Sequence, residues 1–159
     1  MHYRFASADD ETIINRLLAD AHLPHDDVAP HLHNFILAIE NEAIIGIIGL
    51  EVYGQIGLLR SLVVVPAMRG RGLSQDLCER LFRYARAQGV RELYLLTLDA
   101  EAYFQARGFR HIERASAPDA IQGTRQFEHL CPTSATLMFR DLHARSGATA
   151  WPSSSARRK

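Results

Sequence analysis

The 159 residues hold eighteen basic and eighteen acidic side chains, for no net charge, and 47% of them are apolar. That balance describes one globular domain with a substantial core and argues against a general nucleic-acid or membrane-surface binder, whose footprint is a basic excess. No apolar run approaches the roughly twenty residues of a membrane span, MHYRFASADD lacks a signal-peptide core, and Cys78 and Cys131 share no metal spacing, so free thiols in a reducing cytoplasm are expected.

In chain order, HYRFASA predicts a short first strand. DDETIINRLLADAHL predicts a helix with Ile13, Ile14, Leu17, Leu18 and Ala21 on one stripe, and Ser7 and Asp9 available as caps. LPHDDVAPH reads as a loop or short helix. His22, His25, His31 and His33 crowd this region around a proline loop, without a His-Glu-x-x-His or a cysteine set, so solvated histidines and no metal are expected. NFILAIEN, EAIIGIIGLEVYG and IGLLRSLVVV follow as three strands joined at Glu40-Asn41-Glu42 and Gly54-Gln55, and tight turns between successive strands imply an antiparallel meander.

After a glycine loop, Leu73, Leu77, Leu81 and Ala85 recur every four residues with Cys78 and Phe82 beside them, which predicts a helix. Asp76–Arg80 and Glu79–Arg83 are i,i+4 pairs for its wet face, and Gly89 is its C-cap. RELYLLT is the next strand, AEAYFQAR a short helix ended by Gly108, and FRHIERA another strand. APDAIQGTRQFEHL reads as a short, broken helical connection and SATLMFRDL as the last strand. The domain is expected over residues 1–142, and 143–159, rich in Ser, Ala and Arg, as a flexible tail. A meander, one strand–loop–helix–strand crossover and further strands make a mixed α/β sheet covered by helices.

The chemistry concentrates where VVVP runs into Arg69-Gly70-Arg71-Gly72 and then a helix. Gly70 and Gly72 permit a sharp turn and close approach of a ligand, and the helix N-terminus offers free N–H groups and partial positive charge to phosphate oxygens. Arg69 and Arg71 add full charges. A P-loop would need a lysine where Gly72-Leu73-Ser74 has none, and a dinucleotide loop would need a third glycine at Gln75 and an early βαβ unit. The pyrophosphate of coenzyme A is the third candidate.

Val63-Val64-Val65-Pro66, followed after two residues by Arg69-Gly70-Arg71-Gly72-Leu73-Ser74, resembles the acyl-CoA motif of the GCN5-related N-acetyltransferase (GNAT) superfamily. The family pattern Gln/Arg-x-x-Gly-x-Gly/Ala is met by Arg69, Gly72 and, with serine in the small last slot, Ser74. AYFQARGF resembles the family's helix before its sixth strand, and the element order matches over nearly residues 2–142. More narrowly, LLRSLVVVP, LYLLTLDAEAYFQARGF and APDAIQGTRQFEHLCPTSATLM are similar to acetyltransferases of bacterial arsenic-resistance clusters, and LYLLT…AYF…GF is similar to the acetyltransferase domain of glutamate N-acetyltransferases.

The resemblance implies a GNAT fold, a mixed and mostly antiparallel central sheet of about seven strands flanked by helices. It implies direct acetyl transfer from acetyl-CoA to a small-molecule amine, such as the α-amino group of an amino acid or an analogue, with an arsenic-resistance link. Acetyl-CoA is then expected along Val63, Val64, Arg69, Gly70, Arg71, Gly72, Leu73, Ser74 and Gln75, with the two valines acting through their backbones. No metal, nucleic acid or membrane partner is implied, and a homodimer is left open.

Many relatives carry a glutamate base in the fourth strand, and GLLRSLVVV has none. An α-amine, with a reference pKa near 8, is roughly one-tenth neutral at pH 7, whereas a lysine amine near 10.4 is neutral in less than about one part in a thousand. The missing carboxylate therefore favours α-amino acceptors. Glu51 on the neighbouring strand is either a base working through a water or an ion-pair partner. The family's general-acid tyrosine falls at Phe104, with Tyr103 one place earlier and about 100° away on a helix. Tyr103 is either that acid or a packing residue.

Arg60 interrupts an apolar strand, where an unpaired buried charge is costly. A two-residue turn at Gly54-Gln55 sets it opposite Gly49 and diagonal to Glu51. It either pairs with Glu51 or, with Ser61 beside it and Gly49 leaving room, forks an acceptor carboxylate. Arg125 is a second candidate for that anion pocket or a solvated helix residue. Cys131 before Pro132 reads as a buried thiol rather than a nucleophile. A non-catalytic CoA-binding module and a protein N-acetyltransferase remain the alternatives.

Overall fold

Seven strands form one sheet in the order β1-β2-β3-β4-β5-β7-β6 in a computed structural model, which describes residues 1–130 and 134–143. The strands are β1 (His2–Phe5), β2 (Phe35–Glu40), β3 (Ala43–Tyr53), β4 (Ile56–Val64), β5 (Glu92–Thr97), β6 (Arg110–His111) and β7 (Thr136–Asp141). The helices are α1 (Glu11–Asp20), α2 (Leu73–Ala87), α3 (Glu101–Gln105) and α4 (Asp119–Gln122), with a π-helical turn at Gln126–Leu130. Every pairing is antiparallel except that of β4 with β5. The predicted meander, crossover and seven-stranded GNAT-like sheet are therefore present. Cys131 and residues 144–159 of the expected tail lie outside the described residues.

Alternation along the strands divides the core. Phe35, Leu37, Ile39, Ile47 and Val63 pack with Ile14 and Leu18 of α1. Ile36, Ala38, Ile48, Leu50, Leu59, Val64, Leu93 and Leu95 pack on the other face with Leu73, Leu77, Leu81, Phe82 and Ala85 of α2. Leu58, Tyr94 and Leu137 meet Ala117 and Ile121 in a third cluster. Burying each large aliphatic side chain contributes about 1.5–3 kcal/mol before its entropy cost. The stripe expected on α1 is narrower than predicted, since Ile13 stays 39% exposed while Ile14 is fully buried.

Helix α2 matches its heptad-like apolar pattern and ends as expected at Gly89, where Gly89 N–H reaches Arg86 O at 3.0 Å and Val90 N–H reaches Ala85 O at 2.9 Å, a Schellman closure. Its wet face differs from expectation. Asp76 accepts the Tyr3 hydroxyl at 3.2 Å, and the Arg80 guanidinium lies 3.8 Å from the centre of the Tyr3 ring. Both side chains thus tie α2 to β1.

FRHIERA forms only the two-residue β6, paired through Phe139 and Met138 of β7. Arg114 explains the early end: its Nη1 donates to Ala135 O at 3.0 Å and its Nη2 to Phe127 O at 3.2 Å. These bonds draw the chain into a 3-10 turn at Arg114–Ser116.

Candidate active site

β4 and β5 are paired in parallel only where Ile56, Gly57 and Leu58 meet Glu92, Leu93 and Tyr94. Beyond Leu58 the strands part, and a cleft of about 530 Å³ opens between them. Val63, Val64, Arg69 and Ser74 line one end, Leu95–Thr97 and Tyr103 the facing wall, and Ala21, Leu23, Arg60 and Ser61 the other end. The parting strands expose backbone. Val65 N–H donates to Ile45 O of β3 at 3.0 Å, so strand alternation turns the N–H and C=O of Val64 toward the cleft.

At the phosphate-like end, Gly70 and Gly72 have φ values of +81° and +80°. A side chain at either position would be strained. A Cβ added at either glycine would meet nothing within 4 Å, so the space beside this backbone is open. Gly72 is the N-cap of α2, and the first N–H groups of the helix, from Leu73, Ser74 and Gln75, have no intrahelical acceptor. Arg69 Nε donates to Val64 O at 3.1 Å, which leaves its two Nη atoms without partners among the described residues. Arg71 is half exposed, lies 3.8 Å from Glu40 and is not among the residues that line the cleft.

Midway, the β3–β4 ladder skips a step: Gly49 pairs with Arg60, but Ile47 pairs with Val63. Ser61 and Leu62 thus oppose Ile48 alone, a β-bulge, and Ser61 takes φ +63°. The bulge shifts the side-chain alternation, so Val63 lies on the same face as Arg60.

Arg60 sits opposite Gly49 as its spacing predicts, and it is only 3% exposed. Its Nη1 donates to Asp27 Oδ2 and Glu51 Oε2, each at 2.8 Å. Its Nη2 donates to Asp27 Oδ1 at 2.7 Å and Pro24 O at 3.3 Å. Its Nε donates to Ser61 Oγ at 3.0 Å. Burial pushes the Asp27 carboxyl up, but the bonds and charge of Arg60 outweigh it and hold the group below the usual carboxylate range. Tyr53 donates its hydroxyl to the other Glu51 oxygen, and His31 Nε2 lies 3.6 Å from that oxygen. Burial lowers the His31 pKa ahead of the opposing pull of Glu51, which keeps the ring neutral at pH 7.

Three expectations change here. The room foreseen over Gly49 is filled by Phe35, its cross-strand partner, whose ring carbons lie within 2.5–2.9 Å of where a Cβ would stand. Glu51, buried with both oxygens engaged, does not line the cleft. Arg125 is likewise away from the cleft, in an exposed pair with Asp26 at 3.2 Å.

Tyr103 lines the cleft near Ser74. Its hydroxyl is buried, faces Ser74 and Cys78, and has no close hydrogen-bond partner among the described residues. Burial first, then Cys78, raises its pKa. The Arg107 guanidinium stacks 3.6 Å from its ring centre. Burial pushes the Cys78 thiol up to about 11, so it stays protonated. Phe104, at the family's acid position, packs edge-on against Phe109 at 5.6 Å between ring centres.

Asp27 and Tyr53 were not singled out by sequence reading, and His31, expected among the solvated histidines, is instead largely buried beside Glu51 and Tyr53. The signal for Asp27 was present but indirect: an arginine inside an apolar strand requires carboxylates, and HDDVAPH is an acidic loop that could supply one.

The model of the acetyltransferase (GNAT) family matches residues 4–109. The chain is 27% identical over 97 residues to an uncharacterized N-acetyltransferase of Chlorobaculum tepidum, covering 60% of this chain and 62% of that one. It is 33% identical over 61 residues to an amino-acid acetyltransferase of Mycobacterium tuberculosis, covering 38% of this chain and 34% of that one. These matches span less than two thirds of either relative's length. The fold matches N-acetylglutamate synthase from Neisseria gonorrhoeae, solved in complex with coenzyme A and N-acetyl-glutamate, with a TM-score of 0.79 at 20% identity over 90% of this chain and 35% of that one. At that identity the likeness concerns the fold alone.

Proposed function

The chain belongs to the acetyltransferase (GNAT) family, and from that premise we propose that it transfers an acetyl group from acetyl-CoA directly to a small-molecule amine, the α-amino group of an amino acid or a close analogue. The observation that carries this reading is the cleft where β4 and β5 part, with open glycine backbone at one end and a bulge partway along. The amino-acid acetyltransferase match supports the acceptor class. An arsenical or phosphinic amino-acid analogue falls within that class on sequence resemblance alone.

Acetyl-CoA supplies an activated thioester. The residues fit it from end to end. Gly70, Gly72 and the first N–H groups of α2 receive the pyrophosphate, with the free Nη atoms of Arg69 beside them. The exposed edge of Val64 pairs with the pantetheine arm as an added strand would. The Ser61–Leu62 bulge takes backbone out of the ladder, and a freed N–H polarises the thioester carbonyl. Tyr103, kept protonated, donates a hydrogen bond to the leaving sulfur from an otherwise unpartnered hydroxyl. Because its pKa lies above the ordinary 10 and a thiol's is about 8.5, it stabilises the departing thiolate more than it surrenders a proton. With Glu51 fully engaged, the acceptor must arrive neutral or lose its proton to water, which suits an α-amine.

Calorimetry with acetyl-CoA, followed by an acceptor screen that reads CoA release, tests this function. Submillimolar binding with acceptor-dependent release on amino acids is expected. Binding without release on any acceptor would leave a CoA-binding module, and absence of binding would overturn the assignment.

A further inference from the structure

Building on the acetyl transfer proposed above, we propose that Asp27 and Arg60 together form a positioning device: Arg60, held by Asp27 and Glu51, fixes the Ser61 bulge that receives the acetyl carbonyl and does not itself grip the acceptor. A guanidinium has five N–H groups. All five are used, on Asp27 twice, Glu51, Pro24 and Ser61. No donor remains for an acceptor carboxylate unless Asp27 is displaced, and the Arg60 and Asp27 side chains are 1% and 5% exposed. The same guanidinium touches three segments at once: the Pro24–Asp27 loop that follows the cleft-lining Leu23, strand β3 through Glu51, and the bulge through Ser61.

The bulge needs such a tether. Ser61 stands at φ +63°, a conformation that strains a residue with a Cβ. The Nε–Oγ bond at 3.0 Å is the side-chain contact that holds it there. Asp27 lies 33 positions from Arg60 in the chain, so the arrangement clamps the Pro24–Asp27 loop to the strand that carries the bulge.

The test uses Asp27→Asn, Arg60→Lys, their double variant, Ser61→Ala and Ser61→Gly, with a matched pair of acceptors, a free amino acid and its amide. Acetyl-CoA and CoA affinities are measured by calorimetry on each. A positioning role predicts that Asp27→Asn and Arg60→Lys each lower kcat by at least about tenfold on both acceptors alike, and that the double variant is no worse than the poorer single. The preference for acetyl-CoA over CoA should fall in the same variants while CoA affinity holds. Ser61→Ala, the mildest cut, should lower kcat about fivefold in a folded protein, and Ser61→Gly, at ease with positive φ, should recover part of it.

A rise in KM confined to the free acid in Arg60→Lys would make Arg60 an acceptor grip and overturn the proposal. So would wild-type kcat and acetyl preference in both Asp27→Asn and Ser61→Ala, with transfer itself left standing. If the larger changes fail to fold, the Ser61 pair decides alone. Wild-type protein that binds no acetyl-CoA would instead overturn the transfer reading on which this one rests.

Discussion

Arg4 holds Asp10 with two hydrogen bonds, at 2.8 and 3.0 Å, while Ser7 N–H reaches the same carboxylate at 2.8 Å. The bond from Arg4 is the main reason that the Asp10 pKa lies at about 2, against an upward push from burial. A carboxylate depressed on folding contributes stability above its unfolded pKa of roughly 3.9 and loses it as pH falls through the folded value. The Arg4 side chain is 43% exposed, so screening reduces the gain, and Asp10→Asn should cost about 1 kcal/mol at pH 7. Urea titrations at pH 7 and pH 2 check the sign: the gap between wild type and variant should shrink toward zero at the acidic end. Gly49 gives a steric counterpart. Gly49→Ala drives a Cβ to 2.5 Å from the Phe35 ring, which should destabilise by about 1–3 kcal/mol, and adding Phe35→Leu should restore part of it. A melting temperature unchanged by Gly49→Ala alone would sink that account. At this scale the sequence was half legible. Strand register placed Arg60 opposite Gly49 and near Glu51, because a two-residue turn dictates it. Register could not say that Phe35 would fill the space over Gly49 or that a loop residue would arrive from 33 positions away, since tertiary packing decides both.

The loop from Pro66 to Gly72 and helix α2 work as one element. Both glycines hold φ near +80°, and the backbone beside them faces open space. Gly72→Val forces a β-branched residue into that conformation, so the loop must rearrange and the first-turn N–H groups lose their common aim. Acetyl-CoA affinity should fall at least about tenfold, while α2, secured by Leu73, Leu77 and Leu81 in the core, keeps the domain folded. Calorimetry beside a thermal melt measures the two effects, and unchanged affinity in Gly72→Val would remove this loop from the binding site. This element was the most legible, because its signals are local: glycine at forced angles, an apolar residue every fourth position, and a terminal Schellman closure. FRHIERA was misjudged because its alternation is real but Arg114 makes non-local bonds to Ala135 and Phe127 that end the strand. The bulge in β4 at Ser61–Leu62 rests on a pairing register that no local pattern reveals.

Across the whole molecule, the chain order of strands and helices sufficed to anticipate a seven-stranded mixed sheet, because short turns force neighbours to pair and one crossover helix forces a parallel step. The order did not reveal how weakly the two halves of that sheet are joined. β1–β4 form one half and β5, β7 and β6 the other, and the β4–β5 ladder that links them pairs only Ile56–Leu58 with Glu92–Tyr94. Past Leu58 the cleft replaces the ladder, so backbone that a continuous sheet would pair must find other partners, as Val64 O does in Arg69 Nε. A ligand lying along Val63 and Val64 and against Leu96 and Thr97 would complete the sheet and bind the folded state alone. At a concentration of about 100 times its Kd, such a ligand adds roughly 2.7 kcal/mol, or a rise of about 5–10 °C in Tm for a chain of this size. Amide exchange should show the gain concentrated on the parting ends of β4 and β5, with the Ile56–Leu58 ladder changed little. CoA, which lacks the acetyl group, should reproduce most of the Tm shift, since the pyrophosphate and pantetheine contacts are common to both. A Tm that does not move at saturating acetyl-CoA, or protection that appears on β1 and β6 instead, would mean that the cleft is not what joins the halves.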